Sequence, residues 1–150
     1  MRVQPDPESG FSPGSHDTRG HSSSPLLEIS NATVRLYKAA FGRGPTHARA
    51  RFAGPDTLVV LLQDTLTVSE RRLVEVGEHE RLRAHRLLLH QTVETEIRAI
   101  IEQTLGRSIT SLICGLDPQR DIAVEVAVLA PATHAEPEVL TPQQAGPPQG

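Results

Sequence analysis

Two segments of this sequence change at a glycine from a helical pattern to a strand-like pattern. In the first, apolar and small residues recur every three or four positions over residues 27–41, and the sequence GRGP follows at 42–45. In the second, a helical pattern covers residues 79–105 and Gly106 follows. Glycine readily adopts the left-handed conformation that ends helices, and proline prevents their continuation. Each segment therefore predicts a helix that stops sharply.

Each predicted helix is followed by two segments that together predict a β-hairpin. Residues 46–52 alternate in polarity, residues 57–62 are almost entirely apolar, and the turn-forming sequence GPD lies between them at 54–56. The second pair comprises residues 108–116 and 122–129, and the latter has a clean period of two. Between the hairpins, a capping box of Thr67 and Glu70 predicts a short helix over residues 68–76.

The order of these elements is α-β-β-α-α-β-β. It predicts an α+β two-layer sandwich, in which a four-stranded, mostly antiparallel sheet carries helices on one face. Residues 41–46 (FGRGPT) correspond to residues 105–110 (LGRSIT) at a distance of 64 positions. We therefore consider an internal duplication of one helix–strand–strand unit.

The two ends of the chain differ in composition from its middle. Residues 1–24 and 131–150 are rich in Pro, Gly, Ser or Gln, and we expect disordered tails because such segments bury little apolar surface. Residues 25–130 are then expected to form a single domain. Its thirteen basic side chains balance thirteen acidic ones, and the whole chain has a net charge of −3. This balance argues against a dedicated nucleic-acid-binding domain, which would carry a basic surface.

We expect a cytoplasmic protein. The first 30 residues contain no apolar leader segment, and no apolar run approaches the ~20 residues that a membrane span needs. Any action at a membrane would then pass through a partner.

The sequence predicts no active site, cofactor or metal site. The GRGPT segment follows a helix, so it would face a phosphate with the carbonyl end of that helix instead of its N-terminus. His85 and His90 are five residues apart, which is the wrong spacing for two ligands on one helix face, and we expect both on a solvated face. Cys114 is predicted to be a buried, unreactive thiol.

Strand alternation predicts which residues lie on the open face of the sheet, the face opposite the helices. We expect Ala48, Ala50, Phe52, Leu112, Cys114 and Leu116 to point inward, with Ile122, Val124, Val126 and Val128 beside them. The open face would then carry His47, Arg49, Arg51, Ser111, Ile113, Ala123, Glu125 and Ala127. This mixed surface suggests a homodimer interface with Ile113, Glu125 and Ala127 as candidate interface residues.

The basic residues at the start of this region have three interpretations. Arg43, His47, Arg49 and Arg51 are candidate ligands for a small anion. Alternatively, the strand face is simply solvated and its arginines pair with carboxylates such as Glu125. Nucleic-acid binding is disfavoured because no aromatic residue is interleaved to stack on a base.

Several short motifs, in this order and spacing, resemble the MpsC-like family of small bacterial proteins. They span nearly all of residues 25–130 and comprise Ile29-Ser30-Asn31, Gly42-Arg43-Gly44-Pro45-Thr46, Leu66-Thr67-x-x-Glu70, Arg86, Gly106-Arg107 and Val124-Glu125-Val126-x-Val128-Leu129. The family takes its name from a proposed sodium-translocating, membrane-potential-generating system.

The resemblance implies a non-enzymatic accessory protein that acts by protein–protein contact. We expect a homodimer, and a membrane transport subunit is a candidate partner, whereas nucleic acid and direct membrane insertion are not expected. The alternative is a small-anion or ligand-binding sensor module that uses the basic strand face.

Overall fold

The computed structural model describes residues 23–132, so the predictions for most of both tails lie outside the described residues. The elements are α1 (Pro25–Phe41), β1 (His47–Phe52), β2 (Thr57–Gln63), α2 (Val68–Glu75), α3 (His79–Leu105), β3 (Ile109–Asp117) and β4 (Ile122–Leu129). The predicted α+β fold and element order are confirmed.

Both long helices end as the glycines predict. Gly42 and Gly106 adopt left-handed conformations with φ of 78° and 65°. The Gly106 N–H donates to the Glu102 carbonyl, 2.8 Å away, which satisfies one of the last carbonyls of α3. Helix α2 begins at the predicted capping box, where the Thr67 N–H donates to the Glu70 carboxylate and the Thr67 hydroxyl accepts from the Glu70 N–H.

The four strands form one antiparallel sheet in the order β1-β2-β4-β3. Strand β4 is inserted between β2 and β3, so the two hairpins meet through their second strands. Paired residues in adjacent strands share a face of the sheet. One row across the sheet therefore comprises Ala50, Val60, Glu125 and Cys114.

Helices α1 and α3 cover the face of the sheet on which this row lies. Helix α1 packs over β1, α3 packs over β3, and α2 packs against α3. The buried core between the layers comprises Ile29, Tyr37, Ala50, Leu58, Val60, Leu62, Val93, Ile97, Ile101, Ile109, Ala123, Ala127 and Leu129.

The predicted orientation of β4 is wrong. Ala123, Glu125 and Ala127 are buried beneath the helices, and the alternate residues Ile122, Val124, Val126 and Val128 lie on the open face. A period of two specifies the alternation of side chains but does not specify which set is buried. Small alanines let helices approach the middle of the sheet closely, so here the bulkier valines are the outward set.

Phe52 also departs from the prediction. It lies at the end of β1 on the same side as Ala50, but it is 42% exposed. The helices therefore leave this end of the edge strand partly uncovered.

The topology has the symmetry that an internal duplication would produce. The units α1-β1-β2 and α3-β3-β4 each place a helix over their first strand and contribute their second strand to the middle of the sheet. In the alignment of the repeats, Ala48 and Ala50 correspond to Leu112 and Cys114, and the helices cover all four positions at least in part.

Replacing Gly106 with Ala should lower the free energy of unfolding by about 1 kcal/mol, because a Cβ is disfavoured in the left-handed region. An added Cβ would meet no atom within 4 Å, so the cost comes from the backbone alone. Gly106→Asn is the matched control, since asparagine tolerates this conformation, and it should cost less. Urea denaturation measures both variants, and equal costs for Ala and Asn would contradict this account.

Candidate functional site

The open face of the sheet is apolar along its middle strands. One row across it comprises Arg49, Leu61, Val124 and Gly115. The next row comprises Arg51, Val59, Val126 and Ile113. Ile113 is 57% exposed and Leu61 is 37% exposed, so large apolar side chains face solvent here. A contiguous apolar surface of this kind is typical of an interaction site.

A basic row borders this apolar surface on the edge strand β1. His47, Arg49 and Arg51 lie on the open face as predicted, and all three are exposed. None of the ion pairs within residues 23–132 involves these three side chains. Glu125 cannot pair with them because it lies on the other side of the sheet.

Arg43 is engaged elsewhere. Its guanidinium Nη2 lies 2.7 Å from Asp64 Oδ2, and its Nε donates to the Asp64 carbonyl. The structure therefore brings together three of the four predicted anion ligands on one strand face, whereas the fourth neutralises a carboxylate beyond the end of β2.

The most unusual side chain in the core is Glu125, which is fully buried. The Tyr37 hydroxyl of α1 donates to its Oε1 at 2.7 Å. His90 of α3 places Nε2 2.9 Å from Oε1 and 2.8 Å from Oε2. A carboxylate only accepts hydrogen bonds, so His90 Nε2 carries the proton that points at it. One carboxylate thus connects both long helices to the central strand of the sheet.

The predicted solvated position of His90 is therefore wrong, since its side chain is buried against β4. His85, on the same helix, is exposed as predicted. Histidine buried beside a carboxylate gains a partner that compensates its desolvation.

Burial near Glu125 disfavours the ionised forms of Tyr37 and Cys114. Burial, together with the neighbouring Glu125 charge, raises the pKa of Tyr37 far above its ordinary value and keeps the hydroxyl protonated. Burial and the Glu125 charge also raise the pKa of Cys114 to about 11. The thiolate is the nucleophilic form of cysteine, so this shift disfavours reaction at Cys114 near neutral pH. The side chain is half-buried, whereas the sequence predicts a buried thiol.

A buried ion pair lies beside this cluster. Arg86 Nε and Nη2 donate to the two Glu70 carboxylate oxygens, each at 2.6 Å, and Nη2 also donates to the Thr65 carbonyl at 2.8 Å. The guanidinium carbon lies 4.6 Å from the centre of the Phe41 ring. Arg86 of α3 therefore connects the start of α2 to the end of α1, with cation–π contact adding to the ion pair.

A narrow cleft reaches this region from solvent. Its walls include Tyr37, Phe41, Arg86, His90 and Cys114. Only about 20 Å³ of it can take the centre of a water molecule, which is room for one or two waters. The cleft as it stands has no space for a larger ligand.

Comparison with protein families decides the assignment. The sequence model of the family described as Na+-translocating membrane potential-generating system (MpsC) matches residues 26–131. This chain belongs to the MpsC family. No curated protein and no solved structure matches it.

The motifs that resemble the MpsC family provide long-range contacts of the fold. The Ser30 hydroxyl accepts from the Ala50 N–H, which ties α1 to β1. Glu70 and Arg86 form the buried ion pair, and Glu125 holds the two long helices. Arg107 donates to the Asp56 carboxylate and so fixes the β1–β2 turn against the end of α3. These motif residues therefore act in the packing of elements.

Within residues 23–132, no helix of this MpsC-family chain has the length and apolar character needed to cross a membrane.

Sequence reasoning missed Arg86 and His90 as core residues, although the spacing contains a signal. The buried residues of α3 are Leu82, Arg86, His90, Val93, Ile97 and Ile101. They follow one another at three or four positions, so the two polar residues continue the apolar stripe. A polar side chain in register with a buried stripe indicates a buried partner, which here is Glu70 or Glu125.

Replacing His90 with Leu should lower the free energy of unfolding by about 3–5 kcal/mol, because it leaves the buried Glu125 carboxylate without one of its two partners. His90→Gln keeps an N–H donor and should cost less. His85→Leu on the exposed face is the matched control and should change stability by less than about 0.5 kcal/mol. Urea denaturation at pH 7 compares the three variants, and a His90→Leu protein as stable as His85→Leu would contradict the role of the cluster.

Glu70 should make the stability depend on pH in the acid range. Burial tends to raise its pKa, but hydrogen bonds from Arg86 and the Thr67 N–H outweigh burial and lower the pKa below 4.5. The folded state therefore binds a proton less readily than the unfolded state. The stabilisation is complete above pH 4.5 and disappears as the pH falls through the lowered value.

We therefore expect the stability difference between wild type and Glu70→Gln to shrink as the pH is lowered from 7 towards 3. Glu75→Gln, at an exposed position of the same helix, is the control and should show no comparable change. Urea denaturation at several pH values measures the difference, and one that stays constant would show that Glu70 does not carry the effect.

Proposed function

We propose that this protein is a non-enzymatic accessory protein of the MpsC family that acts by protein–protein contact through the open face of its sheet. The observation that carries the proposal is the apolar surface formed by Val59, Leu61, Ile113, Val124 and Val126. Burial of such a surface against a partner is favourable because it removes apolar area from water.

The first partner in this proposal is a second copy of the chain. Homodimers with two-fold symmetry are the commonest oligomers, and they use one self-complementary surface. The open face measures roughly 400 Å² in projection if four strands stand ~4.8 Å apart and six residues rise ~3.4 Å each. Partners in a standard interface each bury about 800 Å² of accessible surface, so a dimer would use the whole face and its borders.

The family description supports a role at a membrane-potential-generating system. In this proposal the protein works from the cytoplasmic side, and any ion translocation belongs to a membrane transport subunit that it contacts. The glutamate, histidine and arginine clusters in the core stabilise the platform that presents the interaction surface.

Replacing Ile113 with Lys should abolish the dimer, because association would bury an ammonium group with no acidic partner in each copy. Leu88→Lys is the matched control, since Leu88 is 64% exposed but lies on helix α3. Light scattering at micromolar concentration should give the mass of a dimer for wild type and Leu88→Lys and that of a monomer for Ile113→Lys. A monomeric wild type would overturn the dimer.

The same pair of variants tests the cellular role. In a strain that lacks this protein, we expect a lower membrane potential, measured with a potential-sensitive dye. Wild type and Leu88→Lys should restore the potential, whereas Ile113→Lys should not. Full restoration by Ile113→Lys would show that the cellular role does not depend on the open face.

A further inference from the structure

The open face has a charge asymmetry that restricts how two copies can stack. Its β1 border carries His47, Arg49 and Arg51. Strand β3 itself carries no basic residue on this face, and its border includes Ser111, Ile113 and the carboxylate of Asp117, which pairs at 3.1 Å with Arg120 of the β3–β4 turn. In a two-fold dimer, each border stacks either on the same border of the second copy or on the opposite border of the second copy.

Two simple arrangements place the sheets face to face with aligned strands. If the two-fold axis lies between the sheets and crosses the strands at a right angle, β1 of one copy stacks on β1 of the other. The basic side chains of the two copies then meet along one border of the interface, where like charges repel. If the axis runs parallel to the strands, β1 of each copy stacks on β3 of the other, and β2 stacks on β4.

We propose that the homodimer uses the axis parallel to the strands, so that the basic β1 border of each copy covers the β3 border of the other. The proposal rests on the dimer proposed above. The occupant of the open face is then a second copy of this chain, in the orientation that keeps the two basic β1 borders apart.

Residue positions follow from the register of the sheet. A rotation about this axis preserves position along the strands, so each row stacks on the same row of the second copy with its order reversed. Arg51 therefore faces Ile113 of the second copy, and Val59 faces Val126 of the second copy. His47 faces Asp117 of the second copy, because both belong to the row that contains Gln63 and Ile122.

Gly115 adds a steric argument for this arrangement. It shares a row with Arg49, so Arg49 of one copy lies over Gly115 of the other. Gly115 has no side chain to obstruct the long arginine, whose guanidinium can then extend towards Asp117 of the second copy and share that carboxylate with Arg120. The aliphatic stems of Arg49 and Arg51 would cover apolar surface while their charged ends stay at the border.

Chemical cross-linking tests the orientation of the two copies. Stacked sheets lie about 10 Å apart, which suits a short bis-maleimide and is too far for a disulfide. Arg51→Cys, Ile113→Cys and Leu88→Cys are each made with Cys114→Ser, which removes the native thiol. Light scattering first establishes that each variant is a dimer.

Mixing Arg51→Cys with Ile113→Cys should give a covalent dimer that contains one chain of each, whereas Arg51→Cys alone should cross-link weakly. Leu88→Cys, on the helix side, should not cross-link. Efficient cross-linking of Arg51→Cys to itself would overturn the proposed orientation, but it would still support a dimer formed through the open face. A dimer that no cysteine on the open face can cross-link would overturn both the orientation and the proposed surface.

A charge reversal gives an independent readout in the same dimer. Because Arg120 pairs with Asp117 within each copy, this test is made with Arg120→Gln. Arg49→Glu should then weaken the dimer about fivefold, because it replaces attraction to Asp117 of the second copy by repulsion. In the alternative arrangement the same change would strengthen the dimer by relieving repulsion between basic rows. The sign of the change in dissociation constant, measured by sedimentation, therefore distinguishes the two axes.

Discussion

The carboxylate of Glu125 is the contact on which the arrangement of the layers depends. It is buried in the central strand β4 and receives hydrogen bonds from Tyr37 of α1 and His90 of α3. The hydrophobic effect that holds helices on a sheet is not directional. A buried carboxylate tolerates few positions of its partners, because an unpaired charge in the core is costly. Glu125 therefore fixes where both helices lie on the sheet.

Strand β4 serves both surfaces of the sheet at once. Its buried set, Ala123, Glu125 and Ala127, holds the helices, and its outward set of valines forms the middle of the open face. The surface proposed for dimer formation is therefore part of the most constrained strand in the fold. A partner that binds there meets a preformed surface, which reduces the entropy lost on association.

The sequence predicts the elements well because their ends are marked chemically. The glycine stops give α3 its observed bounds, and the period-two pattern gives β4 its observed bounds. The sequence does not specify which face of β4 lies against the helices, because valine and alanine are both apolar. The buried set depends on how closely the helices approach the sheet. The partners of Glu125 likewise come from helices distant in sequence. Within α3, only the spacing of Arg86 and His90 indicates that these two side chains are buried and need polar partners.

The strand order has a consequence for how the chain folds as it is synthesised. The hairpin of β1 and β2 can form early, but the inner edge of β2 has no neighbour until β4, about 65 residues later, is available. Hydrogen-bonding groups along that edge are exposed throughout this interval, as are the apolar residues that flank them. Pairing over such a sequence distance is slow compared with helix formation. Insertion of the final strand is therefore the step at which both the sheet and the Glu125 cluster are completed together.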